Sequence, residues 1–117
     1  MKPYTLETAA FPHGKLISIK GYVNKEAAEE LSATVIGQLK SGIKKLCIDL
    51  SECTTVNSPG IGCLLELTLV VSQDFHGTLV FTGMRPLIRE FFDVTGIFEN
   101  SREAASKEEA ATLLSLI

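Results

Sequence analysis

With 117 residues the chain has room for one domain, and its hydrophobic fraction of 45% excludes a largely disordered protein. The formal net charge of −3 and the few aromatic residues (six Phe, two Tyr and no Trp) argue against direct nucleic-acid binding, since neither a basic stripe nor a base-stacking platform is present. Three cysteines without a closely spaced pair argue against a disulfide framework or a zinc site and favour a reducing, cytoplasmic setting.

The first part of the chain predicts a β-hairpin and a helix. Weak polar–apolar alternation over residues 4–9 indicates an edge strand, and turn-forming residues at 11–14 lead into a second strand at 16–21. Asn24 follows, and its side-chain oxygen can accept a hydrogen bond from a free backbone N–H group of the next turn. Apolar residues at helical spacing then predict a helix over residues 25–40.

The middle of the chain predicts two buried strands separated by a second helix. The apolar runs at 45–50 and 78–82 have the length of buried strands. Residues 51–57 are polar and are predicted to be a connection. Pro59 suits the first position of a helix that continues to about residue 73. The apolar stretch of that helix is too short to enter a membrane as a span, and no signal segment is expected at the start of the chain.

The last part predicts a third helix, a short strand and a C-terminal helix. Pro86 begins the third helix, and Thr95-Gly96 ends it. Residues 97–98 are predicted to form a last strand. Ser106 opens a Ser-x-x-Glu capping box ahead of the C-terminal helix. The residues expected to face inward from the third helix are Leu87, Ile88, Phe91 and Phe92, and the two adjacent phenylalanines are expected to divide between the core and a rim contact.

Strands that alternate with helices are joined by crossover connections, which place neighbouring strands parallel. The order of elements therefore predicts an α/β fold with a mixed, mostly parallel sheet. We expect about four to five strands, antiparallel at the opening hairpin, flanked by about four helices. Neither a linker nor an internal repeat interrupts the pattern, so residues 1–117 are predicted to form a single domain.

The most distinctive local pattern is the strand-to-helix junction at residues 56–62, VNSPGIG. Ser58 occupies the expected N-cap position, and the free N–H groups of Gly60, Ile61 and Gly62 are expected to point toward its hydroxyl. Such a helix start favours an anion, including a phosphate esterified to Ser58. The same residues also fit an ordinary cap with glycines that allow tight packing on the sheet, and the residues alone favour that interpretation.

Catalytic patterns are missing from the sequence. It contains no G-x-S-x-G nucleophile elbow, no third glycine of a dinucleotide fingerprint and no G-K-[ST] after the glycines. His13 lies in the early turn and His76 follows the second helix, so neither is placed to act as a base for Ser58. Asp49 ends a buried strand, where a carboxylate commonly accepts hydrogen bonds from loop amides. We therefore expect no enzyme activity, no cofactor and no metal site.

Three segments carry a family resemblance. Residues 47–67 read CIDLSECTTVNSPGIGCLLEL, residues 77–99 read GTLVFTGMRPLIREFFDVTGIFE, and residues 21–31 read GYVNKEAAEEL. In this order and spacing they resemble the STAS domain of bacterial anti-sigma factor antagonists. The resemblance implies a mixed sheet flanked by helices and a phosphorylated serine at the helix junction. By motif position that serine is Ser58.

The resemblance also implies a partner, an anti-sigma factor that is a serine kinase of the histidine-kinase-like ATPase type. The unphosphorylated antagonist binds this partner and frees the sigma factor, and phosphorylation breaks the complex. Asn57 and Asn24 stand at positions that are usually acidic in the family, which removes two negative charges from the surface expected to face the kinase. The partner-binding residues implied in this way are Asn24, Asn57, Ser58, Pro59, Gly60, Ile61 and Gly62.

Two other functions stay open. STAS-like domains also serve as subunits of lipid-transport complexes and signalling scaffolds, where no phosphorylation is needed, and the neutral Asn57 and Asn24 favour such a role. The helix start at residues 60–62 could instead bind a small anionic ligand or a nucleotide.

Overall fold

The computed structural model describes residues 2–117. Its strands and helices alternate along the chain in the predicted manner, with the helix after Pro59 extended by a π-helical turn, Val70–Asp74. The strands are β1 (Tyr4–Phe11), β2 (Gly14–Val23), β3 (Lys45–Asp49), β4 (Cys53–Val56), β5 (Thr78–Thr82) and β6 (Arg102–Ala104). The α-helices are α1 (Lys25–Lys40), α2 (Ser58–Leu69), α3 (Pro86–Thr95) and α4 (Lys107–Ser115).

These strands form one sheet in the order β1-β2-β3-β5-β6, and β4 pairs with the end of β2. β1 and β2 are antiparallel, whereas the other pairings between described strands are parallel. The predicted α/β class and the mixed, mostly parallel sheet are therefore confirmed. The predicted number of strands is wrong, because the sheet has six rather than four to five.

Two short strands, β4 and β6, were not predicted, and one predicted strand does not form. β4 lies in the segment predicted to be a polar connection, and its central Thr54 and Thr55 are exposed, so no apolar run marks it. Main-chain pairing with residues 21–23 of β2 holds it in place. The strand predicted at 97–98 is instead a 3-10 turn, Ile97–Glu99, because Gly96 reverses the chain with a φ of 86° at the end of α3.

Each face of the sheet carries its own apolar layer. The face with α1, α2 and α3 holds the larger core, which includes Ile17, Ile48 and Phe81. The opposite face holds a smaller cluster in which Cys47, Val80 and Ala104 pack against α4. Alternate residues of a strand point to opposite faces, so a single run of apolar residues in β3 or β5 supplies both layers.

The inward face of α3 is narrower than the sequence pattern predicts. Ile88 and Phe92 are buried as expected, and the Phe92 ring meets the Phe81 ring edge-on at a centroid distance of 5.3 Å. Leu87 was predicted to face inward but is 60% exposed, whereas the expected division of the two phenylalanines is confirmed, with Phe91 44% exposed. Neighbouring residues on a helix point about 100° apart, so a short helix that lies on one layer buries only one of each pair.

The carboxyl ends of β2 and β4 meet at one edge of the sheet. Val23 ends β2, Val56 ends β4, and these two residues are paired in register. The residues that follow them, Asn24 and Asn57, precede α1 and α2. The two helices therefore begin side by side, and this edge is where the predicted site residues lie. No helix in the described part of the chain has the length and hydrophobicity needed to cross a membrane.

The two adjacent phenylalanines of α3 provide a test of this packing. Because Phe92 is fully buried against Phe81, Phe92→Ala should lower the free energy of unfolding by about 3–5 kcal/mol. Phe91→Ala removes a half-exposed ring and should cost about 1 kcal/mol. Urea unfolding monitored by circular dichroism measures both values. Equal losses for the two variants would contradict the orientation of α3.

Candidate functional site at the start of helix α2

Asn24 closes the loop between β2 and α1. Its backbone is extended, and its Oδ1 accepts a hydrogen bond from the backbone N–H of Ala27 at 2.9 Å. The predicted capping role of Asn24 is therefore confirmed. An uncharged amide performs it, and Asn is as good an N-cap as Asp because each supplies a suitably placed side-chain oxygen.

The N-cap of α2 is Asn57, and the prediction that Ser58 fills this position is wrong. Asn57 has extended backbone angles, and its Oδ1 accepts a hydrogen bond from the N–H of Gly60 at 2.8 Å. Ser58 is the first residue of the helix and Pro59 the second. Asn and Ser are nearly equal as caps, so the sequence could not decide between them. Pro is equally acceptable at the first or second position, where its missing N–H is not needed.

With Asn57 rather than Ser58 as the N-cap, fewer backbone N–H groups are free around Ser58. The Gly60 N–H is taken by the Asn57 side chain, and the Ile61 N–H donates to the Asn57 carbonyl oxygen at 2.9 Å. Pro59 has no N–H to offer. The expected cradle of free Gly60 and Ile61 N–H groups around the Ser58 hydroxyl is therefore wrong. A bound anion would have to displace the Asn57 side chain to reach the Gly60 donor.

Gly60 allows α2 to start against the backbone that leaves β2. A Cβ atom on residue 60 would lie 2.8 Å from the carbonyl oxygen of Val23, 3.3 Å from that of Asn24 and 3.0 Å from Asn57 Oδ1. The Asn57 N–H also donates to the Val23 carbonyl oxygen at 3.1 Å. Both helix starts are thus fixed to the same stretch of main chain, and Gly60 itself is buried.

The remaining predicted residues lie at the surface of this edge. Ser58, Pro59 and Gly62 are exposed, and Ile61 is half-buried. A Cβ added to Gly62 would meet nothing within 4 Å. Asn24 and Asn57 are half-buried because their side chains are engaged in capping. The structure therefore presents Ser58, Pro59 and Gly62 outward, whereas Gly60 contributes only to position them.

The first turn of α2 contains no acidic residue, unlike the first turns of α1 and α4. The positive end of its dipole is therefore not offset by a side-chain charge of its own. Asn24 and Asn57 are also neutral, so neither adds a charge to the rim around Ser58, although Lys25 and Glu26 at the start of α1 are exposed.

Nearby polar and thiol groups have structural roles. The Asp49 carboxylate accepts a hydrogen bond from the Ser51 N–H at 2.9 Å and lies 3.6 Å from Lys107 Nζ, so its predicted role as a loop acceptor is confirmed. Burial, with a smaller contribution from the Asp49 charge, raises the pKa of Cys47 to about 12. Burial also raises the pKa of Cys53. Both thiols therefore stay protonated at neutral pH and are poor nucleophiles.

Residues 2–117 contain no cluster of three or more His, Cys, Asp or Glu side chains that could hold a metal ion. The predicted histidines also stay apart from the site, because His13 lies in the β1–β2 turn and His76 follows the π-helical turn at the far end of α2. Both adopt positive φ values, 68° and 54°, in exposed turns. Neither histidine is therefore placed beside Ser58.

Two glycines in one helical turn provide a matched test of the close contact. Gly60→Ala forces a Cβ against the Val23 carbonyl and should lower the free energy of unfolding by about 1–3 kcal/mol. Gly62→Ala has open space and should raise it by about 0.5–1 kcal/mol, because Ala favours a helix. Chemical denaturation of both variants measures the difference. The close approach would be disproved if Gly60→Ala were as stable as Gly62→Ala.

The identity of the cap can be tested in the same way. Asn57→Ala removes the side-chain acceptor of the Gly60 N–H and should lower stability by about 1 kcal/mol. Ser58→Ala changes an exposed side chain that caps nothing and should alter stability by less than about 0.5 kcal/mol. Thermal unfolding of the two variants decides between the two residues. A larger loss of stability for Ser58→Ala than for Asn57→Ala would show that Ser58 is the N-cap of α2.

Comparison with known proteins shows the family of this chain. The family model described as "Mlab, STAS domain" matches residues 7–99, which include Asn24 and the whole of α2. The curated relative BtrV of Bordetella bronchiseptica, which carries the name of an anti-sigma factor antagonist, is 32% identical over 99 residues. The alignment covers 80% of this chain and 84% of BtrV.

Solved structures show the same fold at lower identity. An anti-sigma factor antagonist from Mycobacterium paratuberculosis superposes with a TM-score of 0.80 at 18% identity, covering 96% of this chain and 94% of the other. The antagonist SpoIIAA in its unphosphorylated form gives a TM-score of 0.73 at 16% identity, covering 97% and 98%. The phosphorylated form of SpoIIAA, from Bacillus, gives 0.68 at 17% identity, covering 94% and 98%.

The family model covers most of the chain, the relative exceeds 30% identity over most of both proteins, and the fold agrees with both. The chain therefore belongs to the STAS domain family and, within it, to the anti-sigma factor antagonists, which are regulators rather than enzymes.

Proposed function

We propose that this protein binds an anti-sigma factor that is also a serine kinase of the histidine-kinase-like ATPase type, and that phosphorylation of Ser58 releases it. The observation that carries the proposal is the position of Ser58, exposed at the first residue of α2 beside the Asn24 loop. The names of BtrV and SpoIIAA support an anti-sigma factor as the partner. Such a complex would form in the cytoplasm, where the ATPase finds its nucleotide.

The surface that docks consists of Ser58, Pro59, Ile61 and Gly62, with Asn24 and Asn57 beside them. Gly62 leaves the second turn of α2 uncovered, so a partner can approach the helix closely. Because Asn24 and Asn57 are neutral, the partner cannot recognise acidic groups at these two positions. We therefore propose that contacts at this rim are made by packing and neutral hydrogen bonds.

Phosphorylation would act on the complex more than on the fold. A phosphate on Ser58 adds about 1.5 to 2 negative charges at neutral pH. Because the Gly60 N–H already binds Asn57, the phosphate has no free donor there and would stay at the exposed rim. It would have to lose its water when a partner covers it, which is costly without a compensating charge. The unphosphorylated and the phosphorylated form of SpoIIAA both have a fold similar to that of this chain, which supports an effect of the phosphate on the complex rather than on the fold.

The alternative is a STAS subunit of a lipid-transport or signalling-scaffold complex that uses the same rim without phosphorylation. The neutral Asn24 and Asn57 favour it, since both positions lack the charge expected of a kinase substrate and both amides are engaged as caps. Binding of the partner alone does not separate the two functions. Phosphate transfer from ATP to Ser58 does, because only the first function requires it.

The proposal predicts that a negative charge at Ser58 weakens partner binding. In calorimetric titrations against the purified cognate ATPase with ADP, Ser58→Asp should bind at least about tenfold more weakly than wild type, a loss of about 1.4 kcal/mol. Ser58→Ala should bind like the wild-type protein. With ATP in place of ADP, intact-mass analysis should show one added phosphate on the wild type and none on Ser58→Ala.

Thr112→Asp is the matched control, because Thr112 is exposed on α4, which covers the opposite face of the sheet. It adds the same charge and should leave the affinity unchanged. If Ser58→Asp and Ser58→Ala bound the ATPase with equal affinity, the proposal that phosphorylation of Ser58 releases the partner would be wrong. Binding that is lost equally with Thr112→Asp would show that net charge, rather than the position of Ser58, controls the complex.

A further inference from the structure

A second surface lies between α1 and α2, about one helical turn from the Ser58 rim. The two helices leave an open groove of about 340 Å³ between them. Both sides contribute residues at i, i+3, i+4 and i+7, counted from Glu29 on α1 and from Cys63 on α2, and the last residue of the second set, Val70, belongs to the π-helical turn that continues α2. Residues at this spacing form one stripe along a helix, so the groove follows both helices for about two turns, roughly 10 Å.

Small and apolar side chains line the groove. The hydroxyl of Ser32 and the thiol of Cys63 are in contact at 3.7 Å, and the exposed Ala33 adds no bulk beside them. Ile36 and Val70, one from each side, form apolar walls and are half-buried, and the buried Leu67 also belongs to the lining. Small side chains between apolar walls leave room for a side chain from another molecule.

The rim of the groove is acidic on both sides. Glu29 on α1 and Glu66 on α2 line it and are exposed. Within residues 2–117, neither carboxylate lies within 4 Å of a Lys, Arg or His nitrogen. The neighbouring Glu30, by contrast, pairs with Lys2 at 3.3 Å. The two free carboxylates therefore offer ion pairs to an incoming cationic segment.

We propose that this groove binds an amphipathic helix of a partner protein that carries apolar anchors flanked by Lys or Arg. α1 and α2 start at the same edge of the sheet and run in the same direction, so a third helix can lie along the channel between them. Anchors at i and i+4 of that helix would enter between Ile36 and Val70. Its basic residues would meet Glu29 and Glu66. This surface does not require phosphorylation of Ser58.

Cys63 makes the groove directly testable. Cys47 and Cys53 are buried, whereas Cys63 is half-buried in the groove, so a maleimide should react with Cys63 alone in the folded protein. The attached group would occupy the space between the walls. Intact mass confirms single labelling, and peptide mapping confirms the position.

The probe is a synthetic helical peptide of about 14 residues with Leu at i and i+4 and Lys on both flanks, labelled with fluorescein for anisotropy. Saturable binding to the wild-type protein is expected, with a loss of at least about tenfold in affinity after N-ethylmaleimide treatment or in Ala33→Phe, both of which fill the groove. Glu29→Gln/Glu66→Gln should weaken binding about fivefold at low salt.

Glu108→Gln/Glu109→Gln is the control for net charge, because it removes two exposed carboxylates from α4 and should leave binding unchanged. Ser58→Asp should also bind the peptide like wild type. Peptide binding in the groove can therefore be judged independently of ATPase binding at the Ser58 rim. The proposal would be overturned if both double variants weakened binding equally or if filling the groove had no effect. It would equally be overturned if myristate, but not the peptide, bound in a Cys63-dependent way.

Discussion

The contact between the first turn of α2 and the backbone that leaves β2 determines the geometry of the candidate site. A Cβ at position 60 would force the chain to shift, since it would lie 2.8 Å from the Val23 carbonyl oxygen and 3.3 Å from that of Asn24. This contact brings the starts of α1 and α2 together, and the Asn57 N–H bond to Val23 fixes their register. Ser58 lies exposed between Asn57 and Gly60, the two residues that are held against the backbone following β2.

The two asparagine caps give this edge its chemical character. Each amide supplies the oxygen that a helix start needs and carries no charge, so neither cap adds a charge beside Ser58. The cap on α2 also uses the Gly60 N–H, a donor that could have held an anion. The result is a helix start with this donor engaged and with Ser58, Pro59 and Gly62 exposed. These properties agree with the regulatory role of the family.

Much of the fold could be predicted from the chain, because strong local signals mark it: the apolar runs of β3 and β5, the Asn24 cap and the Ser106 capping box. β4 and β6 could not, since main-chain pairing rather than an apolar pattern holds them. The start of α2 near Ser58 could be predicted from Pro59, which suits the first turn of a helix. The choice of Asn57 as the cap depends on backbone angles that two equally suitable residues do not reveal. The groove between α1 and α2 depends on helix packing, which no single segment encodes.

The central claim is that partner recognition takes place at the edge where α1 and α2 begin. The most direct measurement is a map of backbone amide signals of the ¹⁵N-labelled protein during titration with the purified cognate ATPase. The account predicts that shifts and line broadening concentrate at Asn24 and at residues 57–62, with the α4 face unaffected. Changes centred on α4 and β6, or the absence of any change at residues 57–62 in a saturated complex, would contradict it.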